Sequence, residues 1–494
     1  MTAGVRIEQD SLGTLAVPRS ALWGIHTERA ILNFPISGIQ LGTHRHLVRA
    51  LAYVKEAAAL TNTQLCLIPA DIGHAIVAAC DTVASGDVDH AFPVDVIQGG
   101  AGTSTNMNAN EVIANLALEA LGHPRGSYDA VDPIGHVNKC QSTNDVYPTA
   151  VRLALVFALE DLLERLALLS AAFAERGRAF SSIPKVGRTQ LQDAVPMTLG
   201  QEFAAFSVTL EEDRRRLREA AALLLECSLG ATAIGTGITA DPLYVERVID
   251  KLSAVSGVAL VRAHDFVEAT WDTGAFMTFS GALKRTAIKL SKICSDLRLL
   301  SSGPQTGLAE IRLPPRQAGS SIMPGKVNPV VPEVINQIAF FVAGADVTVT
   351  MAAENGQLQL NAFEPAIAHA LLQSVSWLTN GADVLRDLCV EGIEANEALL
   401  RSRARASTAQ ATALLPLLGY AVAADLAHRA LASGHSVMDL AVTEGLLLPE
   451  QAEALMASDS GHKLGISAPS AWSLPVYHSR EGQGSGCVAD SGKL

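Results

Sequence analysis

What most restricts the fold of this chain is the length of its helical patterns. Apolar residues recur at helical spacing from Pro148 to about Gly177, through Val151, Leu155, Leu159, Leu162 and Leu166. The same spacing returns over 198–227, 271–300, 331–353 and 364–392. Several of these stretches approach roughly 25–30 residues, about 40 Å at the helical rise of ~1.5 Å per residue. That is longer than the usual globular helix. Such helices bury their apolar stripes fully only against several neighbours. The pattern therefore predicts a mainly α protein with a long central helix bundle that continues across subunits. Hydrophobic residues are 49% of the chain and aromatics only 5%. Its core is thus Ala, Leu and Val, which suits closely packed helices better than an aromatic-rich sandwich.

Around this middle the elements are shorter. Residues 1–45 read as short extended pieces and turns, with a polar cluster from Trp23 to Arg29. Residues 46–85 read as two helices, through Leu47, Leu51, Val54 and Ala58, then Ile72, Ile76 and Ala79. After about 398 the helical segments shorten again, and beyond Ser458 Gly, Ser and Pro recur without periodicity. The expected plan is a mixed, mostly helical domain over 1–144 and a long-helix domain over 145–397. A small helical domain over 398–457 and a disordered tail over 458–494 follow.

A net charge of −13 argues against nonspecific nucleic-acid binding, which needs a basic face. The seven cysteines are scattered with no C-x-x-C pair, so neither a zinc site nor a disulfide framework is suggested, and reduced thiols in the cytoplasm fit best. The N-terminus has no signal-peptide core. The apolar runs Val334–Ala345 and Ala411–Ala424 are broken by Asn336, Gln337 and Pro416, so no membrane span is expected.

Four donor-rich loops punctuate the helical patterns, and each is expected to end at a helix start. The first is Gln98–Asn108, glycine-rich and then rich in hydroxyls and amides, with Thr103 and Asn106. It is neither a P-loop nor a dinucleotide loop. The second, His136–Asp145, carries Ser142, Thr143 and Asn144; Ser142 or Asn144 could simply cap the next helix. The third, Gly187–Asp193, carries Thr189 and Gln190. The fourth, Ala318–Asn336, carries Ser320, Ser321, Lys326 and Asn328 among Gly and Pro. Hydroxyls, amides and a single lysine suit a small dicarboxylate. They also suit stabilising the charge that builds on a carboxylate when the neighbouring carbon loses a proton. A serine becomes a plausible base there only if its surroundings lower its pKa.

These loops carry a family resemblance. The strings QGGAGTSTNMNANEVIAN, HVNKCQSTNDVYPT, GRTQLQDAVPMTLGQEF, GSSIMPGKVNPVVPEVINQ and TMAAENGQLQLNAFEP closely resemble the aspartase/fumarase superfamily over roughly residues 5–457. The chain looks more like the ammonia-lyase branch than the hydratase branch, class II fumarase, which stands as the alternative. The resemblance implies a three-domain fold whose long helices form a twenty-helix core in a homotetramer, with each site shared by three subunits. It implies reversible, cofactor-independent deamination of L-aspartate to fumarate and ammonia. Ser320 would take the C3 proton. Thr103, Ser142, Thr143 and Ser321 would hold the β-carboxylate. Lys326 and Asn328 would hold the α-carboxylate. Asn144 and Thr189 would face the amino group and neighbouring carboxylate, with Gln190 beside them. The Ser320 loop would close over substrate. Two positions depart from many relatives. Gln190 replaces a histidine, so a titrating relay to Glu333 is not expected. Leu415 precedes Pro416 where Asn is usual.

Overall fold

A computed structural model describes residues 4–456; the expected disordered tail over 458–494 lies outside the described residues. Contacts divide the chain into two compact units. Of the described residues, one holds those up to Arg176 together with Phe203–Glu394; the other holds Gly177–Glu202 together with 395–456.

The long helices, which lie mostly in the first unit, stand where the periodicity places them. They are Thr143–Ala179, Leu199–Ala221, Gly274–Leu300, Val330–Glu354 and Glu364–Leu388. The first of these, at 37 residues, starts five residues before the expected Pro148. The reason is a reciprocal cap: Asn144 N donates to Ser142 Oγ at 3.3 Å, and Ser142 N donates to Asp145 Oδ1 at 3.0 Å. With the end capped, Pro148 is carried inside the helix rather than starting it. Ser170 and Ser207 hydrogen-bond between the first two long helices, beside a cluster of Phe173, Phe203 and Phe206. Gly274–Leu300 and Glu364–Leu388 flank Val330–Glu354. Buried Asn336 and Asp346 tie that middle helix to its neighbour through Ser291, Arg298, Ser280 and Lys284.

Around this stack the chain adds a hairpin of Val5–Asp10 with Gly13–Pro18 and the helices Arg45–Gln64, Ala70–Ser85 and Thr103–Ala120. Pro242–Ser256 packs on Arg45–Gln64. A further strand pairing of this unit is two residues long, Glu226–Cys227 with Val261–Arg262. Such pairings leave no alternation to read in a sequence.

In the second unit, Pro184–Thr189 pairs antiparallel with Gln192–Thr198. Gly187–Asp193 is therefore not a loop before a helix. It is the tip of a hairpin whose two turn residues, Gln190 and Leu191, both have positive φ. The helix Ala411–Ser433 is interrupted at Gly419, whose φ is 77°.

Val330–Glu354 and Thr408–Ser433 are long and apolar enough to cross a membrane by length and composition, with mean hydropathies of 1.5 and 1.3. Single polar residues and a proline interrupt an apolar run without lowering its average below that of a spanning helix. Within the first unit, the inner side of Val330–Glu354 is occupied by helices, whereas Phe340, Phe341, Val347 and Met351 are exposed.

Glu364 opens its helix fully buried, and burial pushes its carboxyl up to about 8 against the pull of Arg152. The folded chain then holds a proton that the unfolded chain releases between about pH 4.5 and 8, so this group lowers stability as pH rises through that window. Glu364→Gln should raise the thermal midpoint at pH 8 and flatten its dependence on pH. A midpoint at pH 8 below that of the wild type would contradict this.

Candidate active site

The first loop is shaped by consecutive positive φ angles at Gly100, Ala101 and Gly102, 93°, 53° and 86°. They turn the chain sharply into the helix Thr103–Ala120. Gln98 Oε1 takes the N–H and the hydroxyl of Thr105, both at 3.0 Å, which satisfies one of the helix's open donors. Thr103 is left exposed at the helix start. Gly102 is obligatory, because a Cβ there would lie 2.4 Å from the Tyr147 ring.

Asn106 and Asn110, one turn apart on that helix, both donate to Asn138 Oδ1 at 3.2 Å, and Asn106 Nδ2 also donates to Thr143 Oγ1 at 3.0 Å. Lys55, wholly buried on Arg45–Gln64, donates to Asn138 Oδ1 at 2.8 Å and to Gln141 Oε1 at 2.9 Å. Burial pushes its ammonium down to about 7. The second loop is thus wrapped around a buried cation by neutral amides.

Asp145, in the first turn of Thr143–Ala179, gathers a further segment. Its Oδ2 accepts the N–H groups of Gly230 at 3.1 Å and Thr232 at 2.9 Å. Burial raises this carboxyl to about 6 in spite of three backbone donors and the Lys55 charge. Asn144 Nδ2 donates to Ala233 O at 2.7 Å. The 228–237 segment, SLGATAIGTG, has the same small-donor character as the four loops, a signal that sequence reading could have used. Lys55 had a signal too: it sits on the apolar face of its helix, four residues after Leu51 and three before Ala58.

The fourth loop is closed by Gly319 N donating to Lys326 O at 2.7 Å and by Asn328 Nδ2 donating to Gly319 O at 2.9 Å. A Cβ on Gly319 would meet that same Lys326 oxygen at 2.7 Å. Ser320 Oγ accepts two backbone N–H groups, from Ile322 at 3.1 Å and Met323 at 3.0 Å. Ser321 and Lys326 are exposed.

The residues picked from sequence therefore fall into groups. Ser142, Thr143 and Asn144 share the head of one helix, and Asn106 reaches Thr143. Ser320, Ser321, Lys326 and Asn328 share one loop. Among the described residues no hydrogen bond joins the fourth loop to the first two. In the second unit, Thr189 and Gln190 are exposed at the hairpin tip. Two clefts of about 410 and 560 Å³, one lined by His44, His46 and Asp161, the other by Arg312, Arg316 and Glu391, include none of these residues.

The lyase family profile matches residues 13–344, which span every residue picked above, and the fumarase C C-terminus profile matches 411–459. Aspartate ammonia-lyase of Pseudomonas aeruginosa is 56% identical over 446 residues, spanning 90% of this chain and 94% of that protein. The chain belongs to the aspartase/fumarase superfamily. Within the superfamily, the solved fumarate lyase:delta crystallin from Brucella melitensis bound to cobalt superposes with a TM-score of 0.89 at 56% identity, covering 92% of this chain and 98% of that one. Recombinant class II fumarase from Schistosoma mansoni superposes at 0.84 but is 32% identical, covering 92% and 98%.

Gly102→Ala should combine left-handed strain with a clash on Tyr147 and cost about 3 kcal/mol or more in chemical unfolding. Gly122→Ala is the control. It has φ 82° with nothing within 4 Å and should lose only about 1–2 kcal/mol of backbone strain. Equal losses in the two variants would remove the argument for a close fit at Gly102.

Proposed function

We propose that this chain is an aspartate ammonia-lyase, releasing ammonia from L-aspartate to give fumarate with Ser320 as the base. The observation that carries the activity is 56% identity to an aspartate ammonia-lyase along 90% of the chain, against 32% to a class II fumarase. The geometry supports the chemistry. Two N–H groups aimed at Ser320 Oγ stabilise an alkoxide more than a hydroxyl, which lowers the serine pKa. The alkoxide takes a C3 proton, and the electron pair moves onto the β-carboxylate as an enediolate. The pair then returns to form the double bond as the C–N bond breaks and ammonia leaves. Thr103, Ser142, Thr143 and Ser321 would meet the β-carboxylate, where each preorganised donor is worth about 3 kcal/mol. Lys326 and Asn328 would meet the α-carboxylate. Asn144 spends its Nδ2 on Ala233 O, which leaves its Oδ1 to accept from the substrate ammonium. Thr189 and Gln190 would stand beside that amine.

These groups are to be assembled in a homotetramer with a twenty-helix core, each site drawing on three chains. The exposed Phe340, Phe341, Val347 and Met351 on Val330–Glu354 supply an apolar face for such a core. The reading keeps a domain plan of 1–144, 145–397 and 398–457. It places the enzyme in the cytoplasm, consistent with the free thiols at all six cysteines of the described residues.

Pure protein offered aspartate, malate, argininosuccinate and N-substituted aspartates, followed by fumarate absorbance, should turn over aspartate. Turnover of malate alone would make it a fumarase. Ser320→Ala should lower kcat by about a thousandfold or more, in line with loss of a catalytic base or nucleophile, while the oligomer by light scattering is unchanged. Substantial residual kcat would place the base elsewhere. Lys326→Ala should mainly raise KM for aspartate, and a normal KM would separate Lys326 from the substrate carboxylate.

A further inference from the structure

Lys55 is a fully buried ammonium with no carboxylate in contact. Its Nζ touches only the side-chain oxygens of Asn138 and Gln141. The charged and titratable groups that face it are Asp145, from Thr143–Ala179, and Cys80, from Ala70–Ser85. Asp145 is spent on three backbone N–H groups, and Cys80 is held protonated by burial. A buried cation among neutral amides is costly, and an apolar side chain of the same length would fill the space more cheaply. Its presence therefore calls for a use.

The hydrogen-bond directions supply one. An ammonium donates and cannot accept, so Asn138 must turn its oxygen toward Lys55. That oxygen also receives Asn106 Nδ2 and Asn110 Nδ2, each at 3.2 Å. Asn106 must therefore present its NH2 group, and the same group donates to Thr143 Oγ1 at 3.0 Å. With an acceptor site on Oγ1 filled from inside, the single hydroxyl proton of Thr143 is left to donate outward. The direction of the chain is fixed at its start, because Asn138 Nδ2 is taken by the Gln141 carbonyl at 3.1 Å and its oxygen is left to face Lys55 Nζ.

We propose that Lys55 is a positioning residue which, through Asn138 and Asn106, sets the Thr143 hydroxyl as a donor to the substrate carboxylate. This deepens, and rests on, the placement of Thr143 against the β-carboxylate. Without Lys55 the Asn138 amide keeps only its Nδ2 anchor on the Gln141 carbonyl at 3.1 Å; its oxygen loses its shortest donor, and Asn106 and the Thr143 hydroxyl can shift in turn.

A double-mutant cycle on the full-length enzyme with L-aspartate tests the relay. Lys55→Met should lower kcat/KM about 10–100-fold, Thr143→Val should do the same, and the double variant should be little worse than either. Lys55→Met combined with Lys326→Ala should multiply the two losses, which a loosening that spread to the fourth loop would not predict. Lys55→Arg, another donor-only cation, should recover part of the loss. If Lys55→Met does not accumulate as folded protein, Asn106→Leu cuts the same relay without touching the buried charge, and its loss should likewise not add to that of Thr143→Val. A folded Lys55→Met enzyme with kcat/KM within threefold of wild type, beside a crippled Thr143→Val, overturns the relay alone. So do losses at the two positions that multiply. A Thr143→Val enzyme with unchanged kcat/KM overturns the carboxylate placement and the relay with it.

Discussion

The first half of the site depends on the carboxylate of Asp145. One group accepts the N–H of Ser142 and so starts the longest helix of the chain. It also accepts the N–H groups of Gly230 and Thr232 from a segment 85 and 87 residues away. A buried carboxylate is expensive unless its lone pairs are filled. Here they are filled by the backbone of the segments that carry the donors, so the cost of burial and the placement of the site are one arrangement. The same economy governs Lys55, whose ammonium is satisfied by Asn138 and Gln141, the first of which also holds the Asn106 amide that reaches Thr143.

The fourth loop follows a different principle. It is held to itself, by Gly319 to Lys326 and by Asn328 to Gly319, and its outer residues are in solvent. A segment with closed ends and few outside contacts can move as a unit at small cost. Ser320 therefore carries its own stabilising N–H groups with it, since they come from Ile322 and Met323 within the loop. The helix heads hold one group of candidate residues by long-range bonds, and the fourth loop holds the other by bonds within itself.

The long helices were legible because 3.6-residue periodicity over 25 residues or more is a strong signal. Their ends were less so: the Thr143 start depends on a capping pair that competes with Pro148 for the boundary. The short strands and the hairpin at Gln190 and Leu191 escaped because two-residue pairings leave no pattern and neither turn residue is glycine. The hydroxyl and amide residues of the four loops stood out by type and by glycine and proline around them. Lys55 and the 228–237 segment carried weaker signals, an apolar helix face and a run of small donors, and what each touches is set by segments far away in the sequence.

By itself the sequence determined the long helices, the donor-rich loops between them and the family, because each is written in contiguous residues: a period, a turn residue, a motif. Only the tertiary structure decided that Asp145 joins two distant loops, that Lys55 is buried against Asn138 and Gln141, and that Ser320 faces two amide N–H groups. Those are properties of distance and direction, and a hydrogen bond between residues 37 or 85 positions apart leaves no mark in either local stretch.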